Sequence, residues 1–462
     1  MLYTHATIIT VDQTRRVISD GALLVHDDKI VDVGKTTELT TKYPEEAQYD
    51  LSNHIVMPGM VSTHMHCVQS ILRGIAEDRD LISWMCDRIW VAQGNITPPE
   101  AYAAARLSMA EMLKGGTTCF IESLWAERYG FDGLVKAVDE SGIRGCLGKV
   151  VMDRRADQPE FRNRMHHGLV EDRQSLANAV QMHDKWHGSS DGRVQVWFGA
   201  RTPGGVTTEL LTEMSSIARE KGIRITMHCL EEKADRDVFD QDFKKGPMQY
   251  CEEIGLLGDR TVLIHMVWLE DDDIHRLATT RTHIAHCPSS NMKLGSGFCP
   301  VPKLLDNNVN VGIGCDGAPC SNTLDLFQEM SLAAKLQKGL HLNPKLLPAE
   351  TMIEMATIKG AEAVGLVDKI GSLEIGKQAD FIGIKVENLH QVPTYDPVST
   401  VVHATNARDV KLVVVNGKVT VENGQLTTMD EAEVIREGIK AGKAVLSRAN
   451  LADDIHGSWP LE

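Results

Sequence analysis

Residues 99–122, PEAYAAARLSMAEMLKGGTTCFIE, read as a helix followed directly by a strand. Apolar positions recur near the 3.6-residue period through the first part, two glycines close it, and the run that follows is short, apolar and strand-like. The same alternation spreads to both sides. Strand-like runs stand at 55–64 (IVMPGMVSTH), 116–122 (GTTCFIE), 143–151 (IRGCLGKVV), 194–200 (VQVWFGA), 223–229 (IRITMHC), 261–267 (TVLIHMV), 282–287 (THIAHC) and 309–315 (VNVGIGC). Helix-length amphipathic stretches separate them, as in TTELLTEMSSIAREKG at 207–222. Eight strand-helix units close naturally into a (β/α)8 TIM barrel, whose loops at the strand C-terminal ends are the place for chemistry. The connections at 72–100 and 153–190 are longer than linkage requires, which marks them as lids or pocket walls.

The two ends of the chain have a different texture. ATIITVD (6–12) and GALLVHDDKIVDVG (21–34) alternate around an Asp27-Asp28 turn, and SLEIGKQADFIGIKV (372–386) and KLVVVNGKVTVENGQ (411–425) do so around Asn416-Gly417 and Asn423-Gly424. Similar ends imply one small β-sandwich domain built from both termini. The expected division is therefore 1–57 and 369–425 for the β-sandwich domain, 58–368 for the barrel, and 426–462 for an exposed C-terminal helix and tail.

Composition narrows the function. In 462 residues, hydrophobic residues make up 42% and charged ones 24%, values of a folded protein with a large core. The 48 Lys+Arg against 64 Asp+Glu give a formal charge of −16, which argues against nucleic-acid polymers and anionic membranes as partners. No apolar run reaches bilayer length, and MLYTHATIITVDQTRR lacks the order of a signal peptide, so a cytoplasmic location is expected. The ten cysteines show no paired CxxC spacing and read as buried thiols.

Histidines and acids accumulate at the C-terminal ends of the apolar runs. His64 and His66 lie two apart, so in an extended strand both imidazoles face one side. Taken alone, the pair is a weak signal and more often two polar residues in a loop. His228 ends the fifth run, with Glu231 three residues on; His265 ends the sixth, His286 the seventh, and Asp316 the eighth. Each has a bland reading as well, such as a helix N-cap for Asp316. One metal at the barrel mouth accounts for these ends together: three imidazoles and a carboxylate suit one divalent Zn²⁺, or Fe²⁺, and lower the pKa of a bound water towards neutrality. Glu231 is placed as a proton shuttle.

The motifs MPGMVSTHMHCVQSILRG, HCLEE, IHMVWL, HCPSSNMKLGSG and CDGAPCSNTLDLFQEM together resemble the amidohydrolase superfamily, in the branch of methylthioadenosine and S-adenosylhomocysteine deaminases, guanine deaminase and triazine hydrolases. The resemblance implies that His64, His66, His228 and Asp316 hold the metal. It further implies that Glu231, His265 and Asp316 are catalytic, with Glu231 as acid-base group and His265 orienting the attacking water. Lys149 lies on the third run and not the fourth, where the binuclear members carry a carboxylated lysine, so one metal is expected. The implied reaction is attack of a metal-bound hydroxide on an amino-bearing carbon of a purine, pyrimidine or triazine, releasing ammonia. Alternatives are hydrolysis of a cyclic amide or of a chloro- or alkylamino-substituted ring, and a silent barrel serving as a binding module. A homo-oligomer, dimer or tetramer, is also expected by resemblance.

The nucleoside deaminases of this branch carry Ala-Pro-His after the fourth strand, whereas this chain has Gly199-Ala200-Arg201-Thr202-Pro203-Gly204-Gly205. Arg201 is either a substrate-binding cation or a loop-stapling ion pair. The missing histidine ranks nucleosides below bare heterocycles. His286 is a substrate contact or a donor within its turn. Trp90, with Trp84 and Trp268, offers a flat wall for a ring. His183 and His187, at i, i+4 spacing, read as a solvated helix face.

Overall fold

The computed structural model describes residues 1–154, 164–203 and 205–453. Eight parallel strands, Met60–Met65, Thr117–Trp125, Arg144–Val151, Val194–Ala200, Ile225–Cys229, Thr261–His265, His283–His286 and Val311–Ile313, pair each with the next in chain order. The first and eighth come together at their ends, where Asp316 N–H donates to the His64 carbonyl at 3.1 Å. Gly314 makes that approach possible, since a Cβ there would stand 2.8 Å from the His64 backbone nitrogen. The expected TIM barrel is present, with all eight runs in it.

Local chemistry explains the units. The helix Pro98–Lys114 starts on a capping box between Thr97 and Glu100, with Pro at its first position, and ends at Gly115. Its buried face carries Ala101, Ala105, Met109 and Met112 at helical spacing. Gly116, at φ 84°, turns the chain into the second strand.

The termini build one nine-stranded mixed sheet. In it Leu2–Ile9 lies between Val17–His26 and His54–Pro58, and His54–Pro58 pairs with Phe381–Lys385 from the other end of the chain. The Asp27, Asn416 and Asn423 turns adopt positive φ, as tight hairpins require. A core of Tyr3, Ile8, Leu23, Val56, Phe381 and Leu412 joins both terminal parts. The run 55–64 is two strands, not one. Pro58 ends the strand of the small domain and Met60 begins the barrel, with Gly59 between them so close to Thr118 that a Cβ would meet its side chain at 2.2 Å. Beneath the barrel, Arg144 grips Asp380 through Nε at 2.5 Å and Nη2 at 2.9 Å, and Nη2 also donates to Asn416 Oδ1 at 2.8 Å.

The C-terminal helix, Glu431–Arg448, is less exposed than its sequence suggests. Val434, Gly438, Ala441, Gly442 and Val445 are buried, and the glycines let it lie against Leu107 and Ile71. Among the described residues, no helix is long and apolar enough to cross a membrane.

Candidate functional site

The barrel gathers the strand-end residues at one point. His64 Nε2 lies 3.1 Å from Asp316 Oδ1, His66 Nε2 lies 3.7 Å from the same oxygen, and His66 Nε2 faces His228 Nε2 at 3.2 Å. His265 Nε2 stands 3.4 Å from Glu231 Oε2. Strand alternation alone does not produce this. Leu230, His265, Met266 and Asp316 adopt φ of 52°, 71°, 48° and 60°, a left-handed backbone that costs roughly 1–3 kcal/mol per residue and redirects side chains at the strand ends. Asp316 precedes the short helix Ala318–Ser321, but its Oδ1 faces the histidines while also accepting from Gly317 N–H at 2.7 Å.

These donors fit a divalent cation. Candidate ligand atoms of His64, His66 and Asp316, and of His64, His228 and His265, lie within 4.8 Å of one another. Burial, with neighbouring His64, His66 and His265, holds His228 well below the usual imidazole range, and burial draws His265 down to about 4. Both are therefore neutral near pH 7, the form that offers a lone pair. Burial would raise the Asp316 carboxyl, but His64, His265 and His66 outweigh it and hold Asp316 well below the usual carboxylate range. Burial, with Asp316 and Asp235 nearby, pushes Glu231 well above it. Two carboxyl groups in one site are thus driven apart, one towards the anion and one towards the acid.

Three side chains absent from the sequence reading hold these groups. Ser123 Oγ meets His64 Nδ1 at 2.5 Å, and Asn291 Oδ1 meets His265 Nδ1 at 2.9 Å, which leaves both Nε2 atoms facing the centre. Glu122, fully buried, stands 3.8 Å from His66 Nδ1. Glu122 ends an apolar run just as His265 and Asp316 do, so the placement signal was available; Ser123 and Asn291 carry none.

A cleft with a cavity volume of about 90 Å³ opens over the cluster. His66, His228, Glu231, His265 and Asp316 form its floor. The two long connections supply walls: Leu81, Trp84, Met85, Ile89 and Trp90 from the first, Met165 and Leu169 from the second. Residues 155–163 of the second, and Gly204 of the strand-four loop, lie outside the described residues. Arg201 lines the cleft with its guanidinium 5.2 Å over the Trp90 ring and Nη2 3.6 Å from Met85 Sδ.

Other candidates fall elsewhere. His286 is 1% exposed and outside the cleft lining, and neither ring nitrogen has a hydrogen-bond partner among the described residues. Trp268 sits at the surface, its Nε1 donating to the Ser296 carbonyl at 2.9 Å. His183 is half-buried and His187 exposed, and each turns its Nδ1 to the backbone of Val196, on the fourth strand. Lys149 is buried against Glu127 and Glu171, away from the cluster. All ten cysteines are buried and free.

The chain resembles known proteins over most of its length. The model of the amidohydrolase family matches residues 55–420, and that of an imidazolonepropionase-like composite domain of bacteria matches residues 21–45. A 5'-deoxyadenosine deaminase of Methanosarcina acetivorans is 33% identical over 457 residues, 97% of this chain and 99% of its own. A 5-methylthioadenosine/S-adenosylhomocysteine deaminase of Bacillus thuringiensis is 35% identical over 437 residues, 94% of this chain and 97% of its own. Among solved structures, an adenosine deaminase from Xanthomonas campestris with bound zinc aligns with a TM-score of 0.89 at 28% identity, covering 96% of this chain and 98% of that one. Atrazine chlorohydrolase from Arthrobacter aurescens, complexed with zinc, aligns at 0.88 over 96% and 99% of the two chains; at 24% identity it shares the fold.

Proposed function

The chain belongs to the amidohydrolase family, and from that membership we propose that it is a metal-dependent deaminase that removes the amino group of an N-heterocycle by hydrolysis. The observation that carries the reading is the meeting of His66, His228 and Asp316 with Glu231 and His265 on one cleft floor, with His64 buried against Asp316. The first four would hold one divalent cation, with zinc favoured by the zinc-bound relative. When bound, the cation supplies Lewis acidity that makes water nucleophilic near neutral pH.

The side chains then divide the proton work. Asp316, held in its anionic form, accepts a proton from the attacking water. Glu231, held in its acid form, gives a proton to the ring nitrogen beside the attacked carbon, which keeps charge from building up on the ring. His265, braced by Asn291, stands beside Glu231 and orients the water. One water is consumed, the amino group leaves as ammonia, and the ring carbon keeps the oxygen. Trp90 offers a face for the ring, and Arg201 beside it offers donors to a ring oxygen or another electron-rich substituent.

The substrate class proposed is an aminopurine. The altered 199–205 segment favours a bare ring, while the full-length relatives, named for deoxyadenosine and thioadenosine substrates, favour a nucleoside. The test is an ammonia-release screen of the zinc-loaded protein over adenine nucleosides, free purines, pyrimidines, pterins and triazines. Ammonia from an aminopurine is the expected result. Release of chloride or an alkylamine without ammonia would move the protein to the ring-hydrolase reading, and no product from any ring would remove the reaction altogether.

A further inference from the structure

We propose that Glu122 is the second buried charge that balances the cation of this centre, so that it sets how tightly the cation is held without being one of the four groups around it. The inference rests on reading the cluster as a cation site.

Glu122 lies within the second barrel strand, with no solvent exposure. Its oxygens are engaged by backbone: Oε2 accepts from Cys67 N–H at 2.5 Å and Oε1 from Leu124 N–H at 3.2 Å. Oε1 also lies 3.8 Å from His66 Nδ1, on the opposite side of the ring from Nε2, which faces Asp316 and His228. His66 thus has a carboxylate on either side, the outer one at ion-pair distance and beyond hydrogen-bond reach, where its charge favours a ligating imidazole.

Charge accounting points the same way. Glu122 and Asp316 are 0% and 3% exposed, and among the described residues their ion-pair contacts run to histidines only, with no lysine or arginine. Ionised carboxylates are costly to bury unless a cation compensates them. Arg144 and Asp380 show one solution this chain uses elsewhere, a guanidinium paired with a buried acid. At the barrel mouth that solution is missing for Glu122 and Asp316, while burial drives their neighbour Glu231 towards its neutral acid form, and a divalent ion would supply the positive charge that the two lack. A purely structural Glu122, stapling the turn after His66 to the second strand, would account for the bond to Cys67 but not for two acids left without a fixed cation.

The two readings separate in zinc affinity, measured by competition of the full-length protein against a chromophoric chelator. Glu122→Gln should lower the affinity roughly 10- to 100-fold and shrink the zinc-induced rise in melting temperature, while the zinc-free variant melts no lower than zinc-free wild type. A staple alone predicts the reverse: equal melting losses with and without zinc, and unchanged affinity. Glu122→Asp keeps the charge and should stay within about threefold of wild type. If Glu122→Gln fails to fold, that second variant decides, since a tenfold loss with the charge retained overturns the proposal. A protein that binds zinc tightly but deaminates nothing would defeat the proposed reaction and leave this inference standing.

Discussion

His66 Nε2 and His228 Nε2 face each other across 3.2 Å with their rings nearly parallel, although 162 residues separate them. Two ring nitrogens directed at one another have no good direct hydrogen bond unless one carries a proton, whereas both can serve a shared cation. Replacing His228 with Ala should therefore remove zinc from the purified protein. Elemental analysis checks this, and a full equivalent of tightly bound metal in the variant would count against the shared site. Chelation of the wild type should abolish ammonia release, and added zinc should restore it.

Glu231 is placed to move a proton and not to hold the cation. Glu231→Gln should lower kcat by about 10²- to 10⁴-fold with zinc content unchanged, the usual worth of a general acid-base group. Steady-state kinetics beside metal analysis give the answer. Turnover near the wild-type rate would take Glu231 out of the chemistry.

Arg201 lies over Trp90 at the cleft wall. Its removal should weaken binding more than chemistry. Arg201→Met is expected to raise KM roughly 10- to 100-fold, the worth of a charge-assisted hydrogen bond, with a smaller change in kcat. A fall in kcat at constant KM would instead place Arg201 in transition-state stabilisation.

Arg144 and Asp380, both almost wholly buried, tie the third barrel strand to the small domain. Arg144→Met leaves Asp380 and the Asn416 amide oxygen without their partner. The expected loss is about 3–5 kcal/mol of unfolding free energy, measured by chemical denaturation. The Arg144→Met/Asp380→Asn double variant should recover part of it, because the stranded charge is then gone.

Glu329 supplies a pH test of stability. It is 1% exposed and accepts from Ser289 N–H at 3.0 Å, and burial, despite that bond, raises its carboxyl from an ordinary 4.5 to about 8. A folded value above the unfolded one means that the proton is held more tightly in the fold. Its contribution is fully present below about pH 4.5 and is lost as pH rises to about 8. Glu329→Gln does not titrate, so its stability relative to wild type should grow between pH 5 and 8 and level off above. Parallel curves for the two proteins across that range would refute the assignment.

The barrel was legible because its signals are local. Each apolar run ends where a helix pattern begins, and Asp27, Asn416 and Asn423 announce their hairpins through turn chemistry that depends on two residues only. His64, His66, His228, Glu231, His265 and Asp316 were legible for a related reason: polar groups at the ends of buried strands need a purpose, and each stood out against its own run.

Linear order by itself settled the kinds of element, their succession, and the residue types offered at the strand ends, since propensity and period act over a few neighbours. It did not settle the break at Gly59, the left-handed turns at His265 and Asp316, or the seating of Ser123, Asn291 and Glu122 behind the histidines. Those depend on closing the barrel, which brings residues from distant parts of the chain to within a few ångströms. Only then do crowding, hydrogen-bond partners and unmatched charge exist to be satisfied.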